Sequence, residues 1–207
     1  MPTIVGKRPL QEGKASVPTG VALRDVREQL FAAADRILLS DGPTALTSRA
    51  VTDSAGCAKG VLHRHFADFD AFLAEYVLDR AERMEPSLRD SAGTGTVAGN
   101  ITDTLVALFG SVAVAIVALI TFRDELRARL RDTWPAGVPV LTEAAEMIAR
   151  YLAEERDRGR IAANADVDTL AAVLIGSAHL LFADRTGARP GRDAVHRTVT
   201  TVLAAVL

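Results

Sequence analysis

The sequence predicts an all-α protein, and three observations carry that prediction. Apolar residues make up 49% of the 207-residue chain and aromatic residues 5%, a mixture led by Ala, Leu and Val that favours packed helices over sheets. Apolar positions recur at three- and four-residue steps in segment after segment. No segment shows the two-residue alternation of a half-buried strand, and no internal repeat is present. The length is enough for one large domain or two small ones with a sizeable core.

Taken in order, residues 1–20 are rich in Gly, Pro, Lys and Ser without periodicity, which predicts a flexible tail. A first helix is expected over about 22–39, where Leu23, Val26, Leu30, Ala34, Ile37 and Leu38 share a face. Ser40-Asp41-Gly42-Pro43 supplies its glycine stop and proline breaker. Thr47 or Ser48 can cap a short second helix through Ser54 that buries Ala50 and Val51. Ala55-Gly56-Cys57 reads as a tight turn, and a third helix is expected from about Ala58 to Phe66. A fourth starts near Asp68, whose carboxylate suits the positive end of the helix dipole, and passes Phe72, Leu73, Tyr76, Val77 and Ala81 before Pro86.

Residues 87–99 read as a loose connector. Arg123 to Asp132 forms a charged helix broken at Trp134-Pro135-Ala136-Gly137. Residues 139–158 form an amphipathic helix with Leu141, Ala144, Ala145, Ile148, Tyr151 and Leu152 on one side, closed by Gly159. Asp166–Ala183 and Asp193–Leu207 supply the last two helices. The run Thr104 to Phe122 holds no charge and approaches the ~20 residues that cross a bilayer. Gly110-Ser111 interrupts it, and it lacks both a Lys/Arg asymmetry at its flanks and an aromatic belt. It reads as one or two helices buried all round in a helical core, with no membrane partner.

The lone Cys57 excludes an internal disulfide framework and suits a reducing compartment. The first twenty residues contain Lys7, Arg8, Glu12 and Lys14 with no apolar block, so a cytoplasmic location is expected. The formal net charge of −2 divides unevenly, +3 over residues 1–66 and −5 over the remainder. A polyanion would therefore meet the front of the chain.

The chemistry concentrates in Gly56-Cys57-Ala58-Lys59-Gly60-Val61-Leu62-His63-Arg64-His65-Phe66. At about 100° per residue, Leu62 and Phe66 stack inward, while Lys59 and His63 share another face with Gly60 and Arg64 beside them. His63 and His65 diverge by about 200° on a helix, the wrong spacing for a metal pair. No nucleophile–base set or metal motif is apparent, so neither an enzyme nor a metal or other cofactor is expected. Two short helices joined through a glycine form the helix-turn-helix pattern, whose second helix can enter the major groove of DNA. On the residues alone a merely solvated basic face stays open, as in a helical carrier of small molecules that does not bind DNA specifically.

From about residue 26 to 73 the sequence resembles the DNA-binding domain of the tetracycline-repressor-like (TetR/AcrR) family of bacterial transcription regulators. The resemblance rests on Ala32-Ala33-Ala34 with Gly42, on Leu46-Thr47-Ser48-Arg49-Ala50-Val51, on residues 55–66, and on Asp70-Ala71-Phe72-Leu73. The usual central form, A-G-V-S-K-G-T-L-Y-R-H-F, is matched at eight of twelve positions. Ala58 replaces the usual capping serine, His63 the usual tyrosine, and Phe69 a common phosphate-binding lysine. The implied organisation is a DNA-binding domain over residues 21–67 and an effector-binding and dimerisation domain over 68–207.

The resemblance implies phosphate contacts for Thr47, Ser48, His63 and His65, and a position within reach of a base for Arg49. It implies that Lys59 meets phosphate or guanine, that Gly60 permits close approach, and that Val61 meets a thymine methyl. Arg64 is implied as a bidentate reader of guanine. It further implies a homodimer on a palindromic double-stranded operator, joined through Leu170, Leu174, Ala178, Leu181, Phe182, Val195, Val199 and Val202. A pocket for a small hydrophobic effector is expected among Phe72, Tyr76, Leu105, Phe109, Val112, Ile116, Phe122, Trp134, Met147 and Tyr151, and repression is the expected sign of control.

Overall fold

In the computed structural model, which describes residues 20–83, 86–183 and 188–207, the chain runs from helix to helix through turns, with no strand among the described residues. The expected tail, residues 1–20, lies outside the described residues apart from Gly20. Helix α1 spans Gly20–Ser40 and buries Leu30, Ala33, Ala34, Ile37 and Leu38. The amides of Asp41 and Gly42 both close on the Ile37 carbonyl (2.8 and 3.0 Å), ending the helix where Gly42 takes a positive φ. A 3-10 turn at Pro43–Ala45 leads to α2, Ser48–Ser54, whose cap is the Thr47 hydroxyl accepting from the Ala50 amide at 3.1 Å.

Helix α3, Val61–His65, is shorter than the expected 58–66. Ala58 has no side chain that can cap, and Gly60 costs about 1 kcal/mol relative to alanine inside a helix, so Ala58 to Gly60 remain in turn geometry. Helix α4, Phe69–Glu82, starts at Asp68, whose carboxylate accepts from the Ala71 amide at 2.8 Å. That amide first, and the Arg129 guanidinium after it, hold the Asp68 carboxyl below its ordinary range.

The expected connector is partly ordered. Helix α5, Pro86–Arg89, and a run of turns precede a cap by Thr96 on α6, Val97–Phe109. The uncharged run divides at Gly110-Ser111 into α6 and α7, Ala113–Phe122, with a bend of 55° between them. No single helix among the described residues is long and apolar enough to cross a membrane. Ile116, Val117, Leu119 and Ile120 of α7 are buried instead, which explains an absence of charge all round the helix. Helices α8 (Asp124–Thr133), α9 (Pro139–Asp157), α10 (Val167–Ala183) and α11 (Arg192–Leu203) complete the body. There α9 lies on α10, α11 on α6 and α10, and α4 on α8 and α9.

An aromatic cluster joins front to body. Phe31 of α1 lies 6.1 Å from Phe66, 5.6 Å from Phe72 and 5.7 Å from Tyr76, measured between ring centroids. Phe66 meets Phe72 edge-on at 5.1 Å, and Phe69 stacks on Phe72 at 5.6 Å. Beside it, the Tyr76 hydroxyl donates to Asp35 at 2.6 Å, and Arg80 donates to both Asp35 oxygens (3.0 and 2.8 Å). Burial first, then the Asp35 hydrogen bond, drive the Tyr76 phenol far above its ordinary pKa, so the hydroxyl stays a donor. A boundary at residue 67 cuts this cluster, because α1 and α3 lean on α4.

Truncating Phe66 to alanine is expected to lower unfolding stability by about 3–5 kcal/mol in urea denaturation, the cost of emptying a packed aromatic site. Gly56 sits at φ +67° with open space where a Cβ would stand. Gly56→Ala should therefore cost about 1–2 kcal/mol in the same assay, through backbone strain alone.

Candidate functional site

The α2–turn–α3 unit is fixed from within. The Gly56 amide donates to Asp53 (3.2 Å), the Cys57 amide to Thr52 (2.9 Å) and the Val61 amide to Ala58 (2.9 Å). The positive φ at Gly56 reverses the chain between the two helices. Leu62 is fully buried and Phe66 nearly so, with the Arg27 guanidinium 4.8 Å above the Phe66 ring. With that side held, the opposite side of α3 faces solvent.

On that side Lys59, Gly60, His63 and Arg64 are exposed, and Val61 and His65 are half-buried. The side chains of Lys59, His63 and Arg64 have no protein partner among the described residues. Arg49 is exposed and pairs loosely with Asp53 at 3.5 Å. Thr47 is exposed and Ser48 half-buried at the start of α2, on the same unit. The structure therefore brings the nine expected contact residues onto one helix-turn-helix, with Lys59 and Gly60 in the turn that leads into α3.

Two acids follow immediately, and both are neutralised from the body. Asp70 receives Arg123 Nε at 2.6 Å, and Asp68 receives Arg129. The Arg123 guanidinium also lies 5.3 Å from the Phe69 ring. These pairs were not legible beforehand, since they span 53 and 61 residues and no local spacing links them.

The residues expected to line an effector pocket do not gather around one space. Phe72 and Tyr76 belong to the aromatic cluster, Leu105, Met147 and Tyr151 are buried in packed core, and Phe109 and Ile116 are buried with an edge on two separate grooves. The Tyr151 phenol, pushed up to about 12 chiefly by burial, accepts from Asn100 at 3.0 Å. One turn on, buried Glu155 accepts from the Gly93 amide (2.8 Å) and pairs with Arg160 (2.9 Å), so this part of α9 clamps the 91–95 turns. Val112 and Trp134 are half-exposed. Phe122 departs furthest from expectation: it is 87% exposed, because α7 ends there and the chain turns at Arg123, which takes the inward place over Phe69.

The residues expected at a dimer contact divide by face. Leu174, Ala178, Phe182, Val195 and Val199 are spent on the core of a single chain, while Leu170, Leu181 and Val202 are half-buried. The outer face of α10 instead carries Ala172, Val173, Gly176, Leu180 and Ala183, with Leu180 76% exposed. Helix α10 is apolar on both faces, so periodicity could not choose between them.

No family model matches the sequence, and no curated protein matches it. Solved structures do match. A protein from Mesorhizobium loti described as a TetR-family transcriptional regulator superposes with a TM-score of 0.69 at 18% identity, over 89% of this chain and 98% of its own. The reduced form of Escherichia coli NemR gives 0.69 at 15% identity, over 88% and 98%. Bacillus subtilis FadR in complex with stearoyl-CoA gives 0.60 at 16% identity, over 87% and 99%. Such likeness spans nearly the whole of each molecule, and the chain has the fold of the TetR-family transcriptional regulators.

Proposed function

We propose that this chain is a sequence-specific DNA-binding transcriptional regulator, a repressor that leaves a palindromic operator when a small hydrophobic effector binds. The observation that carries this reading is the strip of Lys59, His63 and Arg64, exposed and unpaired among the described residues beside a glycine that permits close approach. Unpaired basic side chains on a turn and helix held from beneath suit phosphate and base-edge contact. The fold shared with proteins described as regulators supports it, and one of those holds stearoyl-CoA. Residues 21–67 form the reading head in this proposal and 68–207 the effector and dimer part, in the cytoplasm.

One α3 covers too little DNA for specificity, so two copies are required. The outer face of α10 is the surface we assign to that pairing: small residues at 172, 176 and 183 allow close helix approach, and Leu180 and Val173 supply apolar area. An effector releases the operator only by binding better to a form whose heads no longer match the half-site spacing.

Fluorescence anisotropy against a pool of palindromic duplexes at two salt concentrations tests the proposal. Arg64→Ala should cost about 1–3 kcal/mol per half-site and relax sequence preference, whereas Lys59→Ala should weaken all duplexes and flatten the salt slope by about one per half-site. Equal affinity of the unaltered chain for every duplex would contradict specific regulation. Leu180→Glu should convert the dimer to monomer in sedimentation experiments and reduce palindrome binding, while leaving helix content unchanged.

A further inference from the structure

We infer that the groove between α1, α4, α7 and the first turn of α9 is a binding site for a small molecule with an apolar body and a terminal carboxylate. The groove has a volume of about 350 Å³, within the span typical of small-molecule sites. Leu39, Val112, Ala113, Ile116 and Val140 form its apolar walls, and Asp35, Arg80 and Arg83 stand at its polar end. Leu39 is 47% exposed, which leaves its side chain free to cover a ligand.

The charges choose the ligand class. Asp35 is already satisfied, with one oxygen taken by Tyr76 and Arg80 and the other by Arg80 again. Arg83 is held from the far side by Glu28 at 2.7 Å and Asp79 at 2.9 Å, yet its side chain remains 54% exposed. Arg80 is fully engaged, with Nε and one terminal nitrogen on Asp35 and the other terminal nitrogen on Asp79, so the donors left for a ligand are those of Arg83. A guanidinium has five N–H donors and no acceptor, and the pairs with Glu28 and Asp79 leave some of the Arg83 donors free. The Arg83 guanidinium, oriented from behind by two carboxylates, turns N–H donors to the groove, which suits a carboxylate.

Position gives the site its consequence. Asp35 and Leu39 stand on the helix that carries the reading head, while Ile116 and Val140 belong to the body, so an occupant touches both. It binds best at one separation of the two and biases the molecule toward it. Two of the residues expected to line a pocket, Val112 and Ile116, stand in the wall of this groove, which is open without rearrangement. The inference rests on the regulator reading for its purpose, but its test needs no DNA.

Isothermal titration of the full chain with octanoate, octylamine and octanol compares three head groups on one apolar body. Octanoate should bind saturably, at least about tenfold tighter than octylamine. Val112→Trp, which fills the groove from a half-exposed wall, and Leu39→Glu, which puts a like charge on its rim, should each weaken octanoate about tenfold or more. Thermal unfolding checks that both variants fold, and Leu39→Glu serves alone if Val112→Trp does not. Octylamine binding as well as octanoate, or octanoate binding retained in a folded variant, overturns the site. Octanoate binding without any duplex binding leaves the site standing and removes the regulator reading; duplex binding without octanoate binding does the reverse.

Discussion

The contact on which the rest depends is the meeting of Phe31, Phe66 and Phe72, with Phe69 and Tyr76 at its margins. Helix α3 has only five residues, far below the length at which a helix holds its own shape in water. It exists because Leu62 and Phe66 are pulled into an apolar site built by α1 and α4. That burial decides which face of α3 is left to solvent, and therefore which residues can meet a partner. The order of cause runs from an aromatic core to a cationic surface.

A second constraint is electrostatic. Asp68 and Asp70 are needed where they are, since Asp68 caps α4 and both complement the positive end of its dipole. Left alone they would place two negative charges directly behind the strip proposed to meet DNA. Arg129 and Arg123 cancel them from the body, and the Arg123 guanidinium also covers Phe69. The same pairs tie the start of α4 to α8, so local charge balance and mechanical attachment are one feature.

Much of this could be read from the residues alone, for reasons that differ by element. Helices α1, α4 and α9 follow from long apolar periodicity, and the turn at Gly56 from a glycine between two short helical segments. The start of α3 was misplaced because Ala58 and Gly60 withhold the cap and the propensity that would extend it. Helix α10 shows the limit of periodicity: with apolar residues on both faces, Leu174 and Leu180 look alike in sequence and lie on opposite sides of the fold. The aromatic and methionine residues expected around a pocket lie inside for the most part, but apolar type does not separate a lining from a filling. Phe122 failed for a plainer reason, since a helix end lets a side chain escape the interior that its neighbours occupy. The charged seam at Arg80 and Arg83 is only half local, because Asp79 lies on the same helix while Asp35 and Glu28 come from α1.

The brevity of α3 has a bearing on how such a protein can be recombined. A fragment ending at residue 67 would carry the side chains proposed to read DNA but omit Phe72 and Tyr76, part of the aromatic cluster that holds α3. The proposed reading head is consequently not a detachable cassette. Grafting it onto a foreign body would require taking the opening turns of α4 along, together with arginines equivalent to 123 and 129 on the recipient.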